Sequence, residues 1–277
     1  MFKMGSSQGV ISLANLLIIS TIVLFGPLVM VNGDFSDNMY INWGSHHSWM
    51  QGNECQLVLD QSSGSGVQSK GTFLFGSIEM QIKLVPGNSA GTVTAYYLSS
   101  IGDKHDEIDY EFLGNVSGQP YVIHTNIFAQ GGGGREQQFY PWFDPTADYH
   151  NYTIHWNPNA VVVQNYRVVA FPIQTHKLWG FTLAFGMLIV GQLEVALSKL
   201  TWTNAPFVAK YRNFVPRTCP WNGPVSINHC AAQTPANCYA KQGQMDWVRN
   251  RYMIYDYCKD TKRFNGQFPG ECFKPQF

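Results

Sequence analysis

The chain has 277 residues, of which 45% are hydrophobic, so it can bury a sizeable core and is not a disordered protein. Lys and Arg together number 18, as do Asp and Glu, and this balance excludes the basic excess typical of nucleic-acid-binding proteins. Aromatic residues make up 14% and glycine occurs 26 times, a composition typical of a β-rich protein with many turns.

A secretory signal is predicted at the start of the chain. A nearly unbroken apolar run covers residues 10–31. The run is longer than the usual apolar core of a signal peptide, about 7–15 residues, so an uncleaved membrane anchor is the alternative. Because Gly26-Pro27 interrupts the run and the small Gly33 follows it, we favour a signal peptide over 1–33 that is removed from a secreted protein.

Short segments of alternating or β-branched residues, separated by turn signals, follow the signal segment. No long amphipathic helix lies between them, and the pattern therefore favours a β-sandwich. One helix is predicted near the end of the chain, over 244–255. The strands are predicted at 56–59, 73–84, 92–99, 107–113, 121–128, 149–156 and 160–163.

Three acidic residues alternate with apolar residues in the predicted strand 107–113. Successive side chains of a strand point to opposite faces, so Glu107, Asp109 and Glu111 share one face. Three adjacent acids repel one another, and a strand that needs only solubility more often includes Lys, Thr or Ser. The pattern therefore indicates chemistry, and the alternatives are a solvent-facing acidic strand and a Ca²⁺ site.

Paired carboxylates of this kind suit retaining glycoside hydrolysis. One ionised acid attacks the anomeric carbon, while a second acid, kept protonated, gives a proton to the leaving oxygen. On a flat strand Glu107 and Glu111 are about 13 Å apart at Cα, whereas a retaining pair needs carboxyl groups about 5–5.5 Å apart. The two side chains must therefore lean toward each other on a twisted, concave strand.

The acidic strand lies within longer motifs that carry a family resemblance. The chain resembles the xyloglucan endotransglucosylase/hydrolase family of plant cell-wall enzymes, within glycoside hydrolase family sixteen, in FLFGSIEMQIKLVPGNSAGTVTAYYLSS, DEIDYEFLGN and HTNIFAQGGGGREQQFYPWFDPTADYH. The resemblance implies an all-β jelly-roll sandwich with a concave substrate cleft over 34–215. It also implies a short disulfide-stapled C-terminal extension with one helix over 216–277.

The same resemblance implies roles for the three acids. Glu107 is the expected nucleophile, Asp109 the assisting acid and Glu111 the acid/base. The glycosyl group on Glu107 would pass to the non-reducing end of another xyloglucan chain, to a xyloglucan oligosaccharide, or to water. No metal or organic cofactor is required, because two carboxylates can carry the bond breaking themselves. We expect a monomer in the extracellular cell wall, or apoplast, with no membrane contact after signal removal and no nucleic-acid partner.

Further residues match family positions that line the sugar cleft, where neutral donors and acceptors meet hydroxyl groups. Without the family, His124 reads rather as a core or edge histidine with satisfied hydrogen bonds, and Arg263 equally as a solvent-facing residue. Asn115 begins a glycosylation sequon directly after the acidic strand, and a second sequon at Asn151 lies in a predicted strand and is expected to be less accessible. The cleft positions are His124, Thr125, Asn126, Arg135, Glu136 and Arg263.

Residues 164–200 depart from the family, being shorter and far more apolar than the aromatic-rich stretch found there. When residues 181–201 are back-translated and read one base earlier, the codons permit the family motifs IYSSLWNAD and WATRGG. We therefore hypothesise that this stretch is translated in a wrong reading frame and that the proper frame resumes at Trp202. An intact frame in the sequenced transcript would refute this hypothesis. The alternatives are a chance match, a buried strand over 182–190 and a membrane segment there, although the stretch is shorter than the about 20 residues that a spanning helix needs. The departure gives a second functional hypothesis, an impaired or inactive relative that at most binds polysaccharide.

Five of the six cysteines lie in the C-terminal extension, which is too short to hold a core of its own. Their spacing suggests Cys219 with Cys230 and Cys258 with Cys272, and leaves two cysteines unpaired, although six cysteines allow fifteen connectivities. A zinc site is the alternative, but the sequence has no CxxC pair. The two left over are Cys55 and Cys238.

Overall fold

The computed structural model describes residues 33–157, 160–163, 166–169, 179–187, 200–219 and 242–273. The apolar run over 10–31, which carries the predicted secretory signal, lies outside these residues. Within the described ranges, no helix is both long enough and apolar enough to cross a membrane.

Strands dominate the described part of the chain, and every ladder between them is antiparallel. Two α-helices accompany them in these ranges, α1 (Phe35–Asn38) and α2 (Gln242–Arg251). The strands are β1 (Met39–Trp43), β2 (Ser48–Gln51), β3 (Glu54–Leu59), β4 (Ser65–Lys83), β5 (Thr92–Ser99), β6 (Glu107–Leu113), β7 (Val122–Phe128), β8 (Gln137–Phe139), β9 (His150–Asn157), β10 (Ala160–Val163), β11 (Tyr166–Val169), β12 (Trp179–Met187), β13 (Phe207–Cys219) and β14 (Met253–Asp256).

The strands form two sheets that share the long strand β4. The front sheet has the order β1-β4-β12-β5-β6-β7-β8-β14, and the back sheet has the order β2-β3-β13-β4-β9-β10-β11. Strand β4 passes from one sheet to the other at Phe75 and Gly76, whose φ angles are 64° and 140°. Glycine suits position 76 because of this φ, and because a Cβ there would overlap the backbone of β13. The sheets therefore curl into a jelly-roll-like sandwich, which confirms the expected fold class.

The core lies between the two sheets and is rich in aromatic side chains. Tyr110 and Phe112 of β6 meet Tyr152 of β9 edge-on, with ring centroids 5.4 and 4.7 Å apart. The buried hydroxyl of Tyr96 on β5 donates a 2.6 Å hydrogen bond to the carbonyl of Ile78 on β4. Edge-on pairs of this kind contribute about 0.5–1.5 kcal/mol beyond the burial of their area. The inner face of the front sheet is thus packed against the back sheet, and its outer face does not contribute to this core.

The strand predictions are confirmed closely in the centre of the chain. The strands predicted at 92–99, 107–113 and 160–163 have those bounds in β5, β6 and β10. The strand predicted at 73–84 is instead part of the longer β4, which begins at Ser65. Its first half contains Gly66 and Gly71, which weaken a strand signal in sequence although the sheet partners here supply the backbone hydrogen bonds.

The predicted helix over 244–255 is only partly correct. Helix α2 runs from Gln242 to Arg251 and buries Val248, but Met253–Asp256 is strand β14, paired with β8 at the edge of the front sheet. The backbone N–H of Tyr140 donates a 2.9 Å hydrogen bond to the carbonyl of Tyr252, where the pairing begins. Pairing with β14 satisfies backbone groups along the edge of β8, and this pairing overrides the helical pattern of the segment.

The atypical stretch 164–200 supplies strands to both sheets. Strand β12 (Trp179–Met187) lies between β4 and β5 in the front sheet and pairs with both. A strand in this stretch, one of the alternatives given by the sequence, is therefore present. Residues 170–178 and 188–199 lie outside the described residues.

One predicted disulfide is present, and one cysteine is free as expected. Cys258 and Cys272 form a disulfide with a Cα–Cα distance of 5.3 Å, so this pairing is confirmed. Cys55 on β3 is fully buried and unpaired, and burial raises the pKa of its thiol to about 12. Cys230, the predicted partner of Cys219, and Cys238 lie outside the described residues.

Candidate active site

The three acids lie on the outer face of the front sheet, in its central strand β6. The alternating residues Ile108 and Tyr110 are buried, at 0% and 2% exposure, so the intervening acids point away from the core. The period-two prediction for Glu107, Asp109 and Glu111 is therefore confirmed. Because β6 pairs over its whole length with β5 and β7, the position of each acid is fixed by two neighbouring strands.

Asp109 is the most buried of the three acids, at 8% exposure. Burial raises the pKa of Asp109 well above its usual range, and the charges of Glu107 and Glu111 raise it further. A side-chain hydrogen bond between Asp109 and Glu107 acts in the same direction, because the protonated Asp109 donates it. The trio therefore favours a neutral middle acid that holds the carboxylate of Glu107.

A histidine stands beside each of the two outer acids. His124 on β7 is the cross-strand partner of Glu111, and its Nδ1 lies 3.0 Å from Glu111 Oε2. His105 Nε2 lies 4.0 Å from Glu107 Oε2, and its ring stacks on Phe128 with centroids 5.5 Å apart. His124 is therefore a neighbour of a candidate catalytic acid rather than a core histidine. His105 is not among the residues predicted from sequence, although it lies only two positions before Glu107.

The other polar residues predicted on β7 divide between the two faces of the sheet. Asn126 is the cross-strand partner of Asp109, and its Oδ1 accepts hydrogen bonds of 3.0 and 2.9 Å from the backbone N–H groups of Arg135 and Ile127. Thr125 is 1% exposed, and its hydroxyl donates to the carbonyl of Gln137 at 3.4 Å. Strand alternation turns Thr125 toward the core, so the structure does not bring it to the outer face that carries His124 and Asn126.

The remaining predicted cleft residues are joined in ion pairs that connect the extension to the sandwich. The guanidinium of Arg263 contacts both carboxylate oxygens of Glu136, with a distance of 3.1 Å between Nη2 and Oε1. The Glu136 carboxylate holds the pKa of Arg263 above its usual range. Arg135 Nε donates a 3.0 Å hydrogen bond to Glu271 Oε1. Arg263 is thus held by Glu136 and is not the free solvent-facing residue that the sequence alone allowed.

Comparison with known proteins identifies the family. The family model for glycosyl hydrolases family 16 matches residues 35–177, and that for the xyloglucan endo-transglycosylase C-terminus matches residues 239–272. Xyloglucan endotransglucosylase protein 1 of Diospyros kaki is 45% identical to this chain, and the aligned region covers 87% of this chain and 88% of the relative. Xyloglucan endotransglucosylase/hydrolase protein 15 of Arabidopsis thaliana is 43% identical, covering 98% of this chain and 99% of its own. The chain belongs to the xyloglucan endotransglucosylase/hydrolase family.

Solved structures show the same fold at lower sequence identity. The β-glucanase of Bacillus licheniformis superposes with a TM-score of 0.55 at 21% identity, covering 68% of this chain and 99% of that one. The Crh5 transglycosylase superposes with a TM-score of 0.53 at 20% identity, covering 66% of this chain and 80% of that one. The jelly-roll architecture is therefore shared beyond the xyloglucan endotransglucosylase/hydrolase family.

The two glycosylation sequons differ in exposure from what the sequence suggested. Asn115 follows β6 directly and is half-buried, and its Nδ2 donates a 3.0 Å hydrogen bond to the carbonyl of Pro120. Asn151 on β9 is exposed, whereas Thr153 of the same sequon is 3% exposed. Strand position did not make Asn151 less accessible, because its side chain lies on the solvent face of β9.

Asp109→Asn is expected to raise the free energy of unfolding near neutral pH, because burial and the two neighbouring acids penalise the charged form of Asp109 in the folded state. The raised pKa means that the folded state holds the Asp109 proton more tightly than the unfolded chain does. The stability that Asp109 contributes is therefore full at low pH and falls as the pH rises above about 3.9, its unfolded value. Asparagine is uncharged in both states, so the variant avoids this loss.

Urea unfolding of wild type and Asp109→Asn at pH 4, 5.5 and 7 measures the effect. The gap between the two proteins should widen as the pH rises, while the exposed variant Asp103→Asn should run parallel to wild type. A gap that stays constant with pH would show that Asp109 titrates normally in the folded state.

Proposed function

We propose that the chain cleaves the β-1,4-glucan backbone of xyloglucan by a retaining double displacement and transfers the glycosyl group to another xyloglucan end or to water. The proposal is carried by one observation, a buried Asp109 hydrogen-bonded to Glu107 and flanked by Glu111 on an outward-facing strand. Family membership supplies the substrate class, and transfer ranks above hydrolysis because it is the activity that the relatives' names share.

The first chemical step forms a covalent intermediate. The ionised Glu107 attacks the anomeric carbon as the glycosidic bond breaks, while the protonated Glu111 gives its proton to the leaving oxygen. Neutral Asp109 donates a hydrogen bond to Glu107 and keeps its carboxylate oriented for attack. The burial of Asp109 supports this role, because an ionised acid in the middle position would repel the nucleophile.

The second step reverses the first with a new acceptor. The carboxylate of Glu111 now removes a proton from the incoming hydroxyl group, whose oxygen displaces Glu107 from the anomeric carbon. An acceptor sugar gives transfer and water gives hydrolysis. His124, which contacts Glu111, and Asn126, which faces the same side as Asp109, are proposed to bind sugar hydroxyl groups next to the acids.

Arg135, Glu136 and Arg263 are proposed to shape the side of the cleft formed by the extension. Their ion pairs and the Cys258–Cys272 disulfide hold the extension against the region around β8. Such forked Arg–carboxylate contacts fix geometry as well as charge. Sugar hydroxyl groups would then meet oriented donors and acceptors at this end of the sheet.

Arg263→Lys tests this assignment, because lysine keeps the charge but cannot make the forked contact with Glu136. We expect the KM for xyloglucan to rise about tenfold while kcat stays within about twofold, since the lost contact affects binding in both ground and transition states. Initial rates over a range of xyloglucan concentrations give both values. Arg251→Lys, an exposed position in α2, is the control, and an equal KM for both variants would remove Arg263 from the cleft.

We also propose that the protein is a secreted monomer of the plant cell wall that carries a glycan at Asn115, because Ser117 of this sequon is exposed whereas Thr153 of the second sequon is buried. The apolar run at 10–31 supports export, and the Cys258–Cys272 disulfide suits an oxidising compartment.

The described residues contain no cluster of His, Cys, Asp and Glu able to hold a metal ion.

The two functional hypotheses are separated by incubating the purified protein with xyloglucan and a labelled xyloglucan oligosaccharide. Label entering the polymer indicates transfer, shortening of the polymer alone indicates hydrolysis, and retention of polymer without either indicates a binding protein. The similarity to named xyloglucan endotransglucosylases favours the enzyme over the inactive relative. The three acids are all present on β6, and β12 of the atypical stretch completes the front sheet between β4 and β5. We expect label in the polymer.

A further inference from the structure

A buried aspartate that no step of the proposed reaction uses lies directly before the three acids. Asp106 is 0% exposed, although it belongs to the loop between β5 and β6. Its Oδ1 accepts a 2.7 Å hydrogen bond from the backbone N–H of Gln130, whereas its Oδ2 has no hydrogen-bond partner among the described residues. Burying a carboxyl group with one oxygen unpartnered costs free energy, so its presence here calls for an explanation beyond packing.

The partner of Asp106 lies in a two-residue turn that follows β7. The backbone groups of Ala129 and Gly132 exchange two 3.0 Å hydrogen bonds across this turn, and the φ angles of Gln130 and Gly131 are 55° and 80°. Positive φ at both central positions is typical of type I′ hairpin turns. The hydrogen bonds within the turn leave the backbone N–H of Gln130 unused, and the Asp106 carboxyl group supplies its acceptor.

The peptide groups on both sides of Asp106 are also held. The backbone N–H of Gly131 donates a 2.7 Å hydrogen bond to the carbonyl of His105. The backbone N–H of Ser100 donates to the carbonyl of Asp106 at 3.0 Å, and Ser100 Oγ accepts from the backbone N–H of Asp106 at 2.9 Å. The chain is thus fixed from the end of β5 and from the turn after β7 as it enters β6.

These contacts determine where Glu107 stands. Glu107 is the first residue of β6, and its cross-strand partners Ser99 and Phe128 are the last residues of β5 and β7. The sheet ladder therefore begins at Glu107, and the contacts of Asp106 hold the chain immediately before it. A reacting group that is misplaced by about 1 Å can lose about 10²-fold in rate, so the nucleophile depends on this anchoring.

We propose that Asp106 is a positioning residue for the nucleophile. By tying the turn at Gln130 and Gly131 to the entrance of β6, it holds the carboxylate of Glu107 in place for attack on the anomeric carbon. Asp106 is enclosed and does not touch the sugar, so its effect falls on the chemical steps at Glu107 and leaves sugar binding unchanged. The proposal rests on the function proposed above, because it gives Asp106 a part in that attack.

The test compares kcat and KM for xyloglucan in wild type and three variants. Asp106→Ala should lower kcat about 10²-fold while KM stays within about twofold. Asp106→Asn should return kcat to within about fivefold of wild type, because its amide oxygen can accept the same N–H. Asp60→Ala is the matched control, since Asp60 accepts a 2.7 Å hydrogen bond from the backbone N–H of Ser62 in a turn after β3, and both constants should stay as in wild type.

A second measurement separates positioning from a loss of folded protein. All rates are taken well below the thermal midpoint of each variant. An aryl glycoside of a xyloglucan oligosaccharide, whose phenol departs without protonation, reports the attack by Glu107 as a burst of phenol. The rate of this burst should fall in Asp106→Ala by the same factor as kcat, whereas a variant that is only less stable would keep the wild-type burst rate.

Each other outcome has a distinct meaning. A wild type that neither cleaves nor transfers xyloglucan would overturn the proposed function itself. With an active wild type, an unchanged kcat in Asp106→Ala, a change confined to KM, or an equal loss in Asp106→Asn would overturn the positioning role alone. If Asp106→Ala does not fold, Ser100→Ala decides, because it removes another contact of the same peptide group. Its kcat should fall about tenfold with KM retained, and a normal kcat would contradict the proposal.

Discussion

Replacing Glu107 by glutamine is expected to lower both transfer and hydrolysis by at least about 10⁴-fold while the protein stays folded. The amide is nearly the same size as the carboxylate but cannot attack the anomeric carbon. The side chain lies on the outer face of β6, where no core contact depends on its charge. The loss should therefore appear in kcat and leave xyloglucan binding largely intact.

Release of reducing ends and incorporation of labelled oligosaccharide measure the two activities. In wild type, acid quenching during turnover followed by peptide mass analysis should also find a glycosyl group on the peptide that contains Glu107, and the variant should lack it. Glu79→Gln, an acid of β4 paired with Arg217 in the back-sheet half of that strand, is the matched control. Normal turnover by Glu107→Gln would remove this residue from the mechanism.

Glu111→Gln is expected to lower turnover of xyloglucan by about 10³-fold, within the range for loss of a general acid and base. The deficit should depend on the leaving group. An aryl glycoside of a xyloglucan oligosaccharide with an acidic phenol departs without protonation, so formation of the glycosyl-enzyme should be nearly as fast as in wild type. The later transfer to a sugar should stay slow, because no base removes the proton of the acceptor.

A burst of released phenol, equal to the enzyme concentration and followed by a slow steady state, is the expected trace for this variant. Glu107→Gln should show no burst with the same substrate, which separates the roles of the two acids. If Glu111→Gln were equally slow with the aryl glycoside and with xyloglucan, Glu111 would not be the proton donor to the leaving oxygen.

The outward-facing acids of β6 were predictable from sequence because the pattern that places them is local. Alternation over seven residues fixes which side chains of β6 point outward, and no distant contact changes that period. Aromatic and aliphatic partners on the inner face, such as Tyr110 against Tyr152, only reinforce the pattern. The sandwich follows partly for the same reason, since strands such as β3 also alternate between buried and half-buried residues.

Contacts between distant segments were not predictable in this way. Nothing in the spacing of Glu136 and Arg263 indicates that they meet, because 127 positions separate them in the chain. The end of the predicted helix was wrong because Met253–Asp256 pairs with β8, a partner more than 100 residues earlier. Thr125 was assigned to the cleft with its neighbours, although strand alternation alone would have placed it on the other face.

The burial of Cys55 has a consequence for how the chain must mature. Once β3 is enclosed by its neighbours, the thiol is held in its unreactive protonated form, with a pKa of about 12. Before that stage the same thiol is accessible and can compete for Cys258 or Cys272 during oxidation. Enclosure of β3 in the sandwich therefore removes Cys55 from this competition and protects the Cys258–Cys272 pairing in the folded protein.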